Sequence, residues 1–255
     1  MLKKEFTADA LQVKVFDTRK SLGEEAGKEA VAYLKDLLSR QEEVCVVFAA
    51  APSQNEFLET VAAAEGVDWS RVHALHMDEY VGLPSDAPQG FGQFLRHAIF
   101  AKVPFGKVDY IGLEGRPEDL VTRYNRILAE HHVDIVFMGI GENGHIAFND
   151  PHVADFHDPL RIKQVALDQK CRLQQVHDGC FASLDEVPEY ALTLTVPTLF
   201  SADRLFCMVP AETKADAVRA TVCGPVSETC PASILRLHAH ATLYVDADSG
   251  KYIYP

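Results

Sequence analysis

Two places in the sequence put proton-transferring side chains at the end of a short apolar run. Asp78, Glu79 and Tyr80 follow residues 72–77, and His145 stands five residues before Asp150, just after the run 133–138. An imidazole titrates near neutral pH and passes a proton in either direction. A neighbouring carboxylate fixes its tautomer and favours its charged form. A carboxylate is a poor base in water, but burial raises its pKa and a strand end can aim it at a C–H bond. Between Met138 and His145 come Gly139, Gly141 and Gly144, which let the backbone turn tightly and approach a ligand closely. A strand end, a glycine loop, an imidazole and a carboxylate together suit acid–base chemistry on a small molecule.

The spacing of Gly139, Gly141 and Gly144 also fits the G-x-G-x-x-G pattern of dinucleotide binders. That site needs a long helix starting in the loop, with its N-terminus aimed at a pyrophosphate. Here Asn149, Asp150 and Pro151 close the segment as a turn and leave room for about one turn of helix, so no redox cofactor is expected. The remaining histidines, His73, His76, His131 and His132 among them, show no metal-ligand spacing with carboxylates or thiols, and His238 and His240 form only an i, i+2 pair. No metal is expected. Ser53 belongs to no evident Ser-His-Asp arrangement.

Composition narrows the partners. The chain has 255 residues, 47% hydrophobic, with a formal charge of −13. That balance argues against nucleic acid, which needs a basic surface, but leaves room for one positive pocket and a small anion. No apolar run approaches the ~20 residues of a membrane span, and no apolar stretch follows Lys3 and Lys4 as a signal peptide would require. Six cysteines without CxxC spacing point to reduced thiols and a cytoplasmic protein. The sequence leaves room for a homo-oligomer.

The elements that must position the reactive groups follow from periodicity. Residues 11–17 alternate like an edge strand, and 21–38 read as an amphipathic helix with Ala26, Ala30, Tyr33, Leu34 and Leu37 along one side. Residues 44–51 are nearly all apolar, as in a strand buried on both faces, and a helix follows over 55–64 with Ser53 or Asn55 as its cap. Strands are expected at 72–77, 108–111, 133–138, 205–209 and 241–245, and helices at 91–100, 116–131, 215–220 and 232–237. Residues 81–90 must be loop, and 152–188 read as a lid or excursion. The alternation predicts an α/β fold, a single domain over 1–255 with a mostly parallel Rossmann-like sheet and helices on both faces. Ligands gather at the carboxyl ends of such strands, so residues 49–54, 78–80, 139–150 and 211–214 should converge.

Two stretches carry a family resemblance. Met77-Asp78-Glu79-Tyr80-Val81-Gly82-Leu83 and Gly139-Ile140-Gly141-Glu142-Asn143-Gly144-His145-Ile146-Ala147-Phe148-Asn149-Asp150-Pro151 resemble, in order and spacing, the two signatures of glucosamine-6-phosphate deaminases (isomerases). The resemblance implies conversion of an amino-sugar phosphate, glucosamine 6-phosphate or a close relative, to fructose 6-phosphate and ammonia through an enediol-type intermediate, without metal or redox cofactor. It implies that Asp78 moves a proton between C2 and C1, that His145 assists ring opening, and that Asn143 and Asp150 orient and polarise it. Gly141, Gly144 and Glu79 fall on the substrate side of the same signatures. Lys214 matches the family's phosphate lysine.

Three departures stand out. Asn143 replaces an Asp, Asp150 replaces a Glu, and the Gly- and Thr-rich phosphate loop is here Ala49-Ala50-Ala51-Pro52-Ser53-Gln54. Alanine resists positive φ and proline offers no N–H, so Ser53 and Gln54 are the neutral donors left to bind an anion. The family's phosphate arginine is replaced somewhere in 172–177. Two rivals share the fold: a 6-phosphogluconolactonase-like sugar-lactone hydrolase and a non-catalytic sugar-phosphate sensor. The lactonase motif runs from the histidine into Thr-Ala-Ser-Leu-Phe-Pro, which this chain lacks. A sensor would need neither Asp78 nor His145.

Overall fold

In the central strands, alternate residues serve opposite cores. Val44, Val46 and Phe48 pack on one side with Ile135, Phe137, Phe206 and Tyr244, while Cys45, Val47, Val136, Met138, Cys207 and Leu243 pack on the other. This is the pattern of a sheet covered on both faces. The computed structural model describes residues 1–253; the last two positions of the expected 1–255 span lie outside the described residues. In chain order the first elements are β1 (Leu2–Ala8), β2 (Leu11–Phe16), α1 (Arg19–Leu38), β3 (Val44–Phe48), α2 (Asn55–Ala62), β4 (Val72–His76), β5 (Asp78–Tyr80), α3 (Phe91–Leu95), β6 (Lys107–Asp109) and α4 (Pro117–Glu130). They are followed by β7 (Ile135–Met138), β8 (Ile162–Ala166), α5 (Gln169–His177), β9 (Tyr190–Leu194), α6 (Val196–Phe200), β10 (Arg204–Val209), α7 (Ala215–Cys223) and β11 (Ala241–Val245).

The main sheet has the order β1-β2-β11-β10-β7-β3-β4-β6. Every pairing from β2 to β6 is parallel, and only β1 is antiparallel. Helices α1, α2 and α3 cover one face, through Leu22, Leu34, Phe57 and Leu95, while α4, α6 and α7 cover the other through Tyr124, Leu199 and Val218. The chain moves outward from β3 to β4 and β6, then crosses back to β7 on the other side of β3. The crevice beyond the carboxyl ends of β3 and β7 is therefore the topological switch point, where such sheets bind ligands.

Several devices set the loop after β3. The α1 and α2 helices touch backbone to backbone: a Cβ on Gly23 would lie 2.6 Å from Cβ of Glu56, and one on Gly27 would lie 2.7 Å from Thr60. Arg19 grips Glu56 with two hydrogen bonds of 2.6 and 2.9 Å and donates a third to the Pro52 carbonyl. The start of α2 is thus fixed from below, without the side-chain cap expected from Ser53 or Asn55.

The structure corrects the sequence reading in three places. Residues 11–16 are not an edge, because β1 lies outside them. Residues 152–188, expected as a lid or excursion without regular elements, contain β8 and α5. A second, three-stranded sheet, β5-β9-β8, stands beside the first. The two sheets share one continuous strand. The Met77 N–H donates to the Phe48 carbonyl of the large sheet at 3.3 Å, and the Met77 carbonyl accepts from Leu194 N–H of the small one at 2.8 Å. From Asp78 onward the chain pairs antiparallel with β9.

Candidate active site

The cleft at the switch point is lined by Ala49, Ala50, Ala51, Ser53 and Gln54 after β3, by Met77 and Asp78, and by Gly139, Ile140, Gly141, His145, Ala147 and Phe148. Gln174, Gln175 and Asp178 from the α5 region close it, and Lys214 stands at one end. The four segments expected from topology do converge, each through at least one residue. Asn143, Gly144 and Asp150 lie behind this wall and hold it in place.

Asp78 opens the small sheet and its side chain faces the cleft. Its carboxyl makes no hydrogen bond among the described residues and is 7% exposed. Burial, followed by the negative charge of Glu79, pushes its pKa well above the ordinary carboxylate range. His76, two residues earlier, fixes its backbone. The Ile111 N–H donates to His76 Nε2 at 2.8 Å, so Nδ1 carries the proton and donates to the Asp78 carbonyl at 2.9 Å. Burial lowers the His76 pKa to about 4, which keeps the ring neutral and this tautomer in place. Tyr124 completes the clamp, accepting from His76 N–H at 2.9 Å and donating to the His76 carbonyl at 2.8 Å.

Glu79 does not belong to the cleft, which corrects its expected place among substrate-binding residues. Neighbouring residues on a strand point to opposite sides. The Glu79 carboxyl therefore turns away into a cradle of three backbone donors, Tyr80 N–H at 3.0 Å and Phe91 and Gly92 N–H at 2.9 Å each. It borders a separate cavity with Arg96, Tyr110 and Arg123. Burial raises its pKa to about 7 despite those donors. Its effect on the cleft is to anchor the start of α3 and the loop before it.

The imidazole of His145 is held by a relay. Its Nδ1 lies 2.7 Å from Asn143 Oδ1 and 3.0 Å from Asp150 Oδ1. The Asn143 amide then donates to Asp150 Oδ1 at 2.9 Å and to Asp168 Oδ2 at 3.0 Å. An amide suits this position: its oxygen faces an imidazole donor, and its NH₂ faces two carboxylates that an Asp would repel. Burial raises the Asp150 pKa, but hydrogen bonds and charge from His145 and Asn143 outweigh it and hold the carboxyl below its usual range. With Nδ1 anchored, Nε2 has no partner among the described residues and is the ring nitrogen available to a ligand.

Two glycines are required here by space and conformation. A Cβ on Gly141 would fall 2.1–2.4 Å from three ring atoms of His145. Gly144 has φ +85°, and a Cβ there would meet Cys230 Sγ at 2.7 Å. Ala147 holds φ +50° without being glycine, so some backbone strain is stored beside His145.

The anion end is sparse. Lys214 is 5% exposed and its ammonium makes no ion pair or hydrogen bond among the described residues. Desolvation lowers its pKa, while Asp178 and Glu142 work against that shift. It is the one lysine or arginine side chain lining the cleft among the described residues. Arg172 turns away and donates to the carbonyls of Leu184 and Val187 at 2.8–3.2 Å. Gln174 and Gln175 take the wall instead. No residue of 49–54 has positive φ, so this loop forms no glycine-type anion nest. Ser53 Oγ accepts from Gln54 Nε2 at 3.2 Å, and buried Gln54 Oε1 has no partner.

His76, Asp168, Gln174, Gln175 and Asp178 are site residues that sequence reasoning missed. Strand position gave a signal for His76, two residues before Asp78 on the same side. None existed for the α5 residues, whose buried face is polar.

A glucosamine-6-phosphate deaminase of Streptococcus pneumoniae serotype 4 (strain ATCC BAA-334 / TIGR4) is 34% identical over 227 residues, covering 88% of this chain and 94% of that protein. A solved monomeric glucosamine-6-phosphate deaminase superposes with a TM-score of 0.85 at 26% identity, covering 94% of this chain and 98% of the other. A 6-phosphogluconolactonase from Trypanosoma brucei shares the fold, with a TM-score of 0.78 at 13% identity over 98% of this chain and all of that one (100%). Residues 17–244 match the profile described as glucosamine-6-phosphate isomerases/6-phosphogluconolactonase, and the chain belongs to that family.

Proposed function

We propose that this chain is an aldose–ketose isomerase and deaminase that converts glucosamine 6-phosphate, or a close relative, to fructose 6-phosphate and ammonia. One observation carries the reading: the unpartnered, buried carboxyl of Asp78 faces the same cleft as the anchored imidazole of His145. His145 Nε2 exchanges a proton with the ring oxygen and opens the sugar. Asp78 removes the proton from C2 of the open-chain aldehyde, leaving an enolamine, and returns it to C1. The resulting ketimine takes up water and releases ammonia and the ketose. Lys214 holds the phosphate, with Ser53 and Gln54 beside it and backbone at Gly141 shaping the loop. Asn143 and Asp150 keep the imidazole in place through the steps.

A base at C2 and a proton shuttle at the ring oxygen suit isomerisation better than lactone hydrolysis, which has no carbon-bound proton to move. The lactonase neighbours share the fold alone. A sugar-phosphate sensor would have no use for a carboxyl held unpaired at a high pKa. The chain has no helix long and apolar enough to cross a membrane among its described residues, and its six cysteines are free thiols, which supports a cytoplasmic location. The test is a panel assay of the purified protein on amino-sugar phosphates, reading ammonia and ketose together, with a lactone assay alongside. Ammonia and ketose in equal amounts are expected. Lactone hydrolysis without ammonia release would overturn the reading.

A further inference from the structure

At the end of the sheet opposite the cleft, Glu43, His73 and His131 bring three potential ligand atoms within 4.8 Å of one another. They come from separate elements: Glu43 directly precedes β3, His73 is the second residue of β4, and His131 ends α4. His73 is 1% exposed, and its Nε2 lies 2.8 Å from Asp109 Oδ2. Asp109 also binds Lys107 Nζ at 2.7 Å. Donation from Nε2 to Asp109 leaves a lone pair on Nδ1. That buried nitrogen has no hydrogen-bond partner and lies 4.0 Å from Glu43 Oε1. His131 Nδ1 is 3.5 Å from the same carboxylate oxygen, and the two imidazoles stack edge to face at 4.5 Å. A bare, buried lone pair 4.0 Å from a carboxylate oxygen is an unfavourable arrangement that a cation between them would relieve.

We propose that Glu43, His73 and His131 form a binding site for a divalent transition-metal ion of the zinc class. Two imidazole nitrogens and a carboxylate oxygen are a borderline donor set that suits zinc over calcium or magnesium. Ligands about 2.0–2.2 Å from zinc stand roughly 3.3 Å apart in a tetrahedron. Glu43 Oε1 lies 3.5 and 4.0 Å from the two imidazole nitrogens and the whole set lies within 4.8 Å, so the three ligands would contract around the ion. Asp109 supplies the second carboxylate that commonly orients a metal-binding histidine. Glu43 is 57% exposed on its side chain, which opens the fourth position to water. The ion would tie the start of β3, the start of β4 and the end of α4 into one knot. His73 precedes Asp78 by five residues, roughly 16 Å along the strand, so this site is separate from the cleft. The histidines showed no metal spacing in the sequence because His73 and His131 are brought together only by the β4–β6–α4 crossover.

The test uses the full chain, stripped with EDTA and titrated with Zn²⁺ by calorimetry, with Co²⁺ absorption as a second readout. One Zn²⁺ per chain is expected, together with a rise in Tm on zinc addition and the visible bands of low-coordinate Co²⁺ bound by nitrogen. Glu43→Gln and His131→Ala remove partly exposed ligands and should each weaken zinc at least ~10-fold and abolish the Tm rise. His132→Ala, at the neighbouring histidine outside the set, should bind as the wild type does. His73→Gln should also abolish binding; should that buried substitution unfold the chain, the Glu43 and His131 variants decide. Absence of one-to-one binding by the wild type, or wild-type affinity in both Glu43→Gln and His131→Ala, would overturn the proposal.

Discussion

The ring of His145 lies directly over the α-carbon of Gly141, so close that a methyl group there would sit 2.1 Å from the imidazole. The backbone also closes on itself at this point, with Gly141 N–H donating to the His145 carbonyl at 2.9 Å. Gly141→Ala should therefore displace the ring while leaving the fold intact. We expect turnover to fall on the order of 10²-fold, the scale of a lost general acid–base group. His145→Gln should match it, and both should lose far more on the cyclic sugar than on an open-chain analogue. Equal losses on the two substrates would show that His145 has no special part in ring opening.

Asp78→Asn should retain the wild-type circular dichroism spectrum and lose ~10²–10⁴-fold in kcat, because it removes a positioned base. In the wild type, activity should rise with pH as Asp78 ionises, with the acid limb well above the usual carboxylate range because of its burial. A variant turning over at the wild-type rate would end the isomerase mechanism.

Glu79 should make stability depend on pH. Its pKa is raised from 4.5 to about 7, so the folded chain binds this proton more tightly than the unfolded one. The resulting stabilisation is complete below the unfolded value and is lost as pH rises through about 7; a shift of this size corresponds to about 3 kcal/mol. Asp78 acts with the same sign, so the measurement belongs in the Asp78→Asn background. There the urea midpoint should fall between about pH 5 and pH 8, and adding Glu79→Gln should flatten that slope. An unchanged slope would mean that Glu79 ionises normally.

Lys214→Ala tests the anion end. A charge-assisted hydrogen bond contributes roughly 1.5–3 kcal/mol, so KM for a phosphorylated sugar should rise on the order of ten- to a hundred-fold. An unphosphorylated analogue should be almost unaffected. If the ratio of the two KM values does not move, Lys214 does not hold phosphate and the substrate class must be revised.

Much of the site was legible because its strands are buried on both faces and read as continuous apolar runs. The positions of Asp78 and His145 followed from those runs and from the rule that ligands collect at carboxyl ends, while Lys214 was singled out within 211–214 by the family resemblance. The exposed β1 gave no such signal, since Leu2 to Thr7 face largely into solvent. Helix α5 was hidden for a different reason. Its inward residues Gln174 and Gln175 are polar because they face a cleft, so the apolar period that marks a helix is missing. Glu79 could have been placed correctly: once Asp78 is assigned to one side of a strand, its neighbour belongs to the other.

The continuous strand through Met77 also governs how this protein can change over evolutionary time. Point substitutions along 72–77 alter packing but leave the alternation intact. A one-residue deletion there would rotate everything beyond it by half a period. Glu79 would then take the place of Asp78 at the cleft, and Tyr80 would stand where three backbone amides now hold Glu79. The spacing between the β3 pairing at His76 and the β9 pairing at Asp78 is therefore closed to insertions and deletions, even where individual side chains are free to vary. Lineages of this fold should diverge in composition along that strand far more readily than in its length.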